Sequence, residues 1–254
     1  MKVVLTNDDG IYATGLRLIY KALRDRGHVV RVVAPMTEQS AVGHSITILN
    51  PLRAKLLTEP DFSGFGVFGT PTDCVKLGLA ELLEGFIPDT VVSGINAGAN
   101  VGPDILYSGT VAAATEAACL GFSALAVSYD NFRPGDINDH ARFAVDVLER
   151  IPWETIPQRR VMNLNMPDRP VSEFKGLALC PQTTAVWRDW HYRREDPRGR
   201  PYWWLDGSIP EEHVLPGSDR GLLNDGWATL TPLKFEFTDG DTLEKLRALG
   251  ALRP

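Results

Sequence analysis

Short apolar runs rich in valine alternate with stretches of helical period along the first 130 residues, and this alternation leaves room for little but a layered α/β fold. Lys2 to Thr6 is such a run. Ala13 to Arg26 follows with Leu16, Ile19, Tyr20 and Leu23 at helical spacing, before Gly27 as a C-cap. His28 to Ala34 is a second Val-rich run, stopped by Pro35. Strand, helix and strand in so short a span describe a parallel βαβ unit.

The same reading continues downstream. Ser45 to Phe68 is expected to form shorter strands around Ile46, Ile48 and Leu49, then Leu52, Leu56 and Leu57, then Val67 and Phe68. Thr72 to Glu84 is a helix candidate with Val75, Leu79, Leu82 and Leu83 on its apolar side. A strand over Thr90 to Ser93, a helix from Thr110 to Leu120 and a strand from Ser123 to Ser128 complete the alternation. The expected architecture is α/β, a Rossmann-like, mostly parallel sheet with helices on both faces. Beyond Asp130 the regularity loosens into a helix over Asp136 to Arg150, strands over Arg160 to Asn165 and Lys175 to Leu179, and a closing helix over Thr238 to Leu249. Residues 1–130 are thus read as the Rossmann-like core, and 131–254 as completion of the sheet plus a C-terminal extension, within one structural domain.

Composition narrows the class. With 254 residues the chain can bury a large core, and 44% hydrophobic with 23% charged residues is a globular balance, not a disordered or fibrous one. Three cysteines, Cys74, Cys119 and Cys180, are odd in number and sit among apolar neighbours, which favours free thiols in a reducing compartment. The N-terminal apolar run is too short for a signal peptide and no run approaches a membrane span, so a cytoplasmic protein without a membrane partner is expected. The net charge of −6 weighs against duplex nucleic acid as a partner.

The chemistry-bearing residues fall where strands end. Asn7-Asp8-Asp9-Gly10 directly follows the first strand, on the edge where open α/β sheets bind ligands. Adjacent carboxylates repel unless a cation or a shared proton compensates, so a divalent metal is one reading and a helix cap with a turn is the other. Two further strand ends open at that edge: one carries Ser40, the other Asn96 in the Gly-rich Gly94-Ile95-Asn96-Ala97-Gly98 segment. Asp8, Asp9, Ser40 and Asn96 together offer only oxygen donors, which selects a hard cation, Mg²⁺ or Mn²⁺ and less readily Ca²⁺. Asn96 also reads as a plain turn residue.

Tyr107-Ser108-Gly109-Thr110-Val111 opens a helix whose free amides suit a phosphate, while N-capping by Ser108 or Thr110 accounts for the same residues. Gly69-Thr70-Pro71-Thr72-Asp73-Cys74 is read first as a Pro-shaped helix entry, with Cys74 an unsuited nucleophile. His44 is open between a proton shuttle, a phosphate contact and a structural hydrogen bond. There is no Gly-x-Gly-x-x-Gly after the first strand and no P-loop, which argues against dinucleotide or NTP binding. An aspartyl-phosphate route would require Asp-x-Asp, and the residue two before Asp9 is Asn7.

In order and spacing, Asn7-Asp8-Asp9-Gly10, Gln39-Ser40, Gly69 to Cys74, Ser93-Gly94-Ile95-Asn96 with Gly98, Asn100 and Gly102, Tyr107 to Val111, and Thr229-Leu230-Thr231-Pro232-Leu233 resemble the SurE (survival protein E) family. The resemblance implies a cytoplasmic, metal-dependent phosphatase of nucleoside 5′-monophosphates, with 3′-monophosphates and short polyphosphate as further substrates. It implies that Asp8, Asp9, Ser40 and Asn96 bind the metal, that Asp8 and Asp9 are catalytic, and that Asn7, Gly43, Ser108, Gly109 and Thr110 surround the phosphate. It also implies a homodimer or homotetramer built through C-terminal extensions. On that basis Trp187 to Leu205, with four of the six tryptophans interleaved with arginines, is expected to be a hairpin making oligomer contacts; base stacking on its aromatics is a second reading. Ala41 and Ala113 stand where family members often carry glycine. A non-catalytic nucleotide-binding module is the competing function.

Overall fold

The computed structural model describes residues 1–249, so the last five residues of the expected C-terminal extension lie outside the described part. The strands are β1 (Lys2–Thr6), β2 (Val29–Pro35), β3 (Ala54–Glu59), β4 (Phe62–Val67), β5 (Thr90–Ala97), β6 (Ser123–Tyr129), β7 (Val161–Met166), β8 (Leu177–Leu179), β9 (Arg188–Glu195), β10 (Pro201–Ser208) and β11 (Ala228–Leu233). The helices are α1 (Thr14–Asp25), α2 (Pro71–Leu77), α3 (Gly109–Cys119), α4 (Asn138–Arg150), α5 (Asp219–Asn224) and α6 (Gly240–Leu249).

Nine strands form one sheet in the order β3-β4-β2-β1-β5-β6-β7-β11-β8. It is mostly parallel; β3 runs antiparallel to β4, and β11 antiparallel to β7. The chain leaves β1 toward β2 on one side and later returns to place β5 on the other. This reversal of strand order creates a crevice at the carboxyl ends of β1 and β5, the usual ligand position in such sheets.

Alternation along each strand feeds two cores. Val3, Leu5, Val92, Leu125 and Leu164 pack with α1 and α4 on one face, while Val4, Val91, Ala124 and Val161 meet α2 and α3 on the other. Helix α3 is apolar nearly all round, with Ala113, Ala114, Ala117 and Ala118 fully buried, and its small side chains let it sit close on the sheet. Helix α1 approaches β5 as closely: a Cβ on Gly15 would stand 2.1 Å from the Ile95 carbonyl oxygen.

Three expectations are corrected. No strand forms around Ile46, Ile48 and Leu49, which are exposed and have no strand partner among the described residues; only β3 and β4, closing as a hairpin, are regular. The helix expected over Thr72 to Glu84 is α-helical only to Leu77 and continues to Leu82 as a π-turn. The last helix starts at Gly240, capped by Asp239, not at Thr238. Trp187 to Leu205 is a two-stranded hairpin, β9 with β10, separate from the main sheet. Among the described residues no helix is long and apolar enough to cross a membrane.

Candidate active site

Backbone demands set the acidic loop first. Asn7 is fully buried, and both its amide atoms bind Gly10: Nδ2 donates to the Gly10 carbonyl at 3.0 Å and Oδ1 accepts the Gly10 N–H at 3.2 Å. Gly10, at φ +101°, takes a conformation that L side chains rarely adopt, and the turn is closed by the Ala13 N–H on the Gly10 carbonyl. Asn7 therefore shapes the loop that carries Asp8 and Asp9.

Each carboxylate is then tied by one oxygen. The Thr110 hydroxyl donates to Asp8 Oδ1 in a short, buried hydrogen bond. The Ala97 N–H donates to Asp9 Oδ2 at 3.2 Å. Gly109 closes over Asp8, where a Cβ would stand 2.7 Å from the Asp8 Cβ and 2.9 Å from its Oδ2. Asp8 Oδ2 and Asp9 Oδ1 remain without a hydrogen-bond partner among the described residues.

Burial pushes the pKa of Asp8 up, with Thr110 opposing the rise. Asp9 is raised to about 7, first by burial and then by the charge of Asp8. No cation is among the charges acting on either group; Glu38 adds a third negative charge. Two desolvated like charges with free oxygens and no neutralising side chain fit a bound hard cation.

The other two oxygen donors each adjoin a residue whose backbone N–H contacts this pair: Asn96 precedes Ala97, and Ser40 follows Gln39. Asn96 directly follows a bulge in β5, where register against β6 shifts between Ser93 and Asn96, near the strand's carboxyl end. Its Nδ2 donates to the Gly98 carbonyl at 2.7 Å, leaving Oδ1 as an unengaged acceptor. Ser40 lies in the segment fastened over Asp8 by the Gln39 N–H on the Asp8 carbonyl, at 2.8 Å; its hydroxyl donates to Glu38 at 2.5 Å and it is exposed. Among the described residues no three His, Cys, Asp or Glu converge as a metal cluster, so any cation here relies on amide and hydroxyl oxygens beside the two carboxylates.

Ser108 caps α3, its Oγ accepting the Val111 N–H at 3.1 Å with its own proton still available. The Gly109 amide at the same terminus has no acceptor among the described residues. The Gly43 N–H holds this turn through the Tyr107 carbonyl at 2.9 Å. Ala41 sits at φ +55°, a left-handed conformation that glycine adopts without strain. His44 is engaged elsewhere: Nε2 contacts Glu116 at 2.8 Å, and Glu116 also pairs with Lys76 at 2.8 Å. Asp73 completes a capping box with Thr70 and binds Thr47, and burial pushes the Cys74 thiol well up, which fits the helix-entry reading of that motif.

Sequence reasoning missed the supports of the Gly98 to Gly102 loop. The Asn100 carbonyl accepts from Asn163 and Asn165 at 2.8 and 3.1 Å, and the Asn100 N–H donates to Asn165 Oδ1 at 2.8 Å. Asp219, fully buried, accepts the Gly102 N–H at 2.9 Å and the Thr183 N–H at 2.7 Å. A signal was present: two asparagines with period 2 interrupt the otherwise apolar Val161-Met162-Asn163-Leu164-Asn165-Met166 run.

Comparison with known proteins shows which family the chain resembles throughout its length. A family profile described as "Survival protein SurE" matches residues 3–189. The protein named "5′-nucleotidase SurE" of Nitratidesulfovibrio vulgaris (strain DP4) is 62% identical over 249 residues, covering 98% of this chain and 99% of that one. Its namesake from Lawsonia intracellularis is 40% identical over 246 residues, covering 97% and 98%. The crystal structure of the SurE protein from Aquifex aeolicus superposes with a TM-score of 0.85 at 34% identity, covering 98% of this chain and 99% of that one.

Proposed function

The chain belongs to the SurE family, and from that premise we propose that it is a 5′-nucleotidase hydrolysing nucleoside 5′-monophosphates to nucleoside and inorganic phosphate with a divalent cation, Mg²⁺ or Mn²⁺. The observation that carries this reading is the Asp8–Asp9 pair, Asp8 buried and Asp9 half-buried, each carboxylate held by one oxygen and presenting the other. Asp8, Asp9, Ser40 and Asn96 are the residues that would hold the cation. When bound, such a cation supplies a Lewis acid for the phosphoryl group.

The chain's own groups supply the rest. The Ser108 hydroxyl and the Gly109 amide at the positive end of α3 bind phosphate oxygens, with Thr110, Asn7 and Gly43 shaping that cradle. Asp8 or Asp9, whichever free oxygen faces the attacking water, positions it and accepts its proton. Residues 1–130 would supply these groups and 131–254 the completion of the sheet and assembly. The hairpin, exposing Tyr192, Trp203 and Trp204, and α6, exposed along its length, support a homodimer or homotetramer. Free cysteines support a cytoplasmic location.

The test is release of phosphate from AMP, GMP, a 3′-monophosphate and short polyphosphate, with and without Mg²⁺ or Mn²⁺. Asp8→Asn and Asp9→Asn are each expected to abolish turnover while circular dichroism shows an intact fold. Normal metal-dependent turnover in both variants overturns the assignment.

A further inference from the structure

The site chemistry leaves Phe132 unexplained. Its side chain is 83% exposed and belongs to neither core cluster. A single exposed apolar side chain is ordinary on a protein surface. This one is set apart by how firmly its loop is held and by what it lies against.

The loop is fastened on both sides of the ring. The Asn131 N–H donates to the Tyr129 carbonyl at 2.7 Å, Asn131 Nδ2 donates to Asp168 at 2.9 Å, and the Arg133 N–H donates to Asn131 Oδ1 at 2.7 Å. The Tyr129 hydroxyl reaches the same Asp168 at 2.5 Å, and Arg220 contacts Asp130 at 3.2 Å. Within this frame the ring rests on Gly98: a Cβ there would stand 2.6 Å from Phe132 Cε1 and 3.0 Å from Cδ1, so the missing side chain is what admits it. Gly98 is also the residue whose carbonyl orients Asn96, and its N–H donates to the Tyr129 carbonyl at 2.8 Å. An aromatic face is therefore displayed to solvent against the Gly98 turn that orients Asn96.

We propose that Phe132 is the platform on which the nucleobase of the substrate stacks, a specificity-determining residue of the nucleotidase reading on which this inference rests. Every base has a π-face, so stacking of this kind tolerates base identity while rejecting phosphomonoesters without a base. It also gives an exposed, fastened ring a use that packing does not.

The experiment compares AMP with ribose 5-phosphate, which keeps the sugar and phosphate but lacks the base, in the wild type, Phe132→Ala and Phe132→Tyr. Phe132→Ala is expected to raise KM for AMP roughly 5- to 150-fold, the range that loss of one stacked base implies. Its kcat/KM for ribose 5-phosphate stays within about twofold of wild type, and Phe132→Tyr recovers the AMP KM. Thermal melting checks that the variants fold. An unchanged KM for AMP in Phe132→Ala, or equal losses on both substrates, overturns the platform. A wild type that turns over ribose 5-phosphate as efficiently as AMP overturns it too and leaves a phosphatase reading standing. A wild type that releases no phosphate from AMP under any metal overturns the nucleotidase reading and the platform with it.

Discussion

Replacing Asp9 with asparagine is expected to make the metal-free protein harder to melt at pH 8. Asp9 titrates near 7 in the folded chain because burial and the neighbouring Asp8 disfavour its charge, against roughly 3.9 when unfolded. The folded state thus holds a proton that the unfolded state releases. As pH rises from about 4 to 7 the native carboxylate becomes a growing liability, and above 7 the loss is complete. Three units at ~1.4 kcal/mol each set a ceiling of ~4 kcal/mol, and the half-buried position brings the realised value below it. Asparagine keeps an oxygen for the Ala97 N–H and carries no charge, so it relieves most of this term. For a chain of this size ~1 kcal/mol moves the melting temperature by about 2–4 °C, so the gain at pH 8 is several degrees and on the order of 10 °C at most. At pH 5 the wild type has surrendered only about a third of the ceiling, and the difference between the two proteins shrinks accordingly. The assay is thermal unfolding of both proteins with chelator at pH 5 and pH 8. A variant that melts at or below wild type at pH 8, or a gap that does not narrow at pH 5, refutes the reasoning.

Other outcomes follow from the same geometry. Thr110→Val removes the hydroxyl that fixes Asp8 Oδ1 and is expected to lower kcat/KM roughly 10- to 100-fold, as loss of a hydrogen bond to a charged group implies, with Thr110→Ser restoring most of it; equal activity in the valine and serine variants contradicts that role. Asp219→Ala strands the amides of Gly102 and Thr183. It is expected to destabilise the fold by about 2–4 kcal/mol in denaturant titrations, and a shift under ~0.5 kcal/mol would show those amides to be satisfied otherwise.

What the sequence discloses and what it conceals divide along the range of the interactions. The Val-rich runs, Gly27 and Pro35 are local signals, and they place β1, α1 and β2 nearly to the residue. The segment at Ile46 to Leu49 misleads because apolar residues on an irregular, exposed stretch carry the same letters as a strand. At the site, Asp8, Asp9 and Asn96 are visible because they stand at strand ends, where a parallel sheet must gather them. That the Thr110 hydroxyl turns to Asp8 could not be read, since its partner lies 102 residues away. Nor could Asp219 be recognised, because a buried carboxylate that caps two remote amides looks in sequence like any acidic residue opening a short helix.

The fastening of the Asn100 to Gly102 loop by Asn163, Asn165 and Asp219 has a consequence in time. During synthesis the acidic turn, the Asn96 bulge and the start of α3 all leave the ribosome long before β7, and longer still before α5. Until those elements arrive, the loop next to Asn96 has no acceptors for its amides, and a nascent chain already carrying every proposed ligand lacks the clamp that arranges them. The clamp is therefore completed late, and a chain truncated before α5 keeps the Asn163 and Asn165 contacts but lacks the Asp219 acceptor for the Gly102 amide, however much of the sheet it retains.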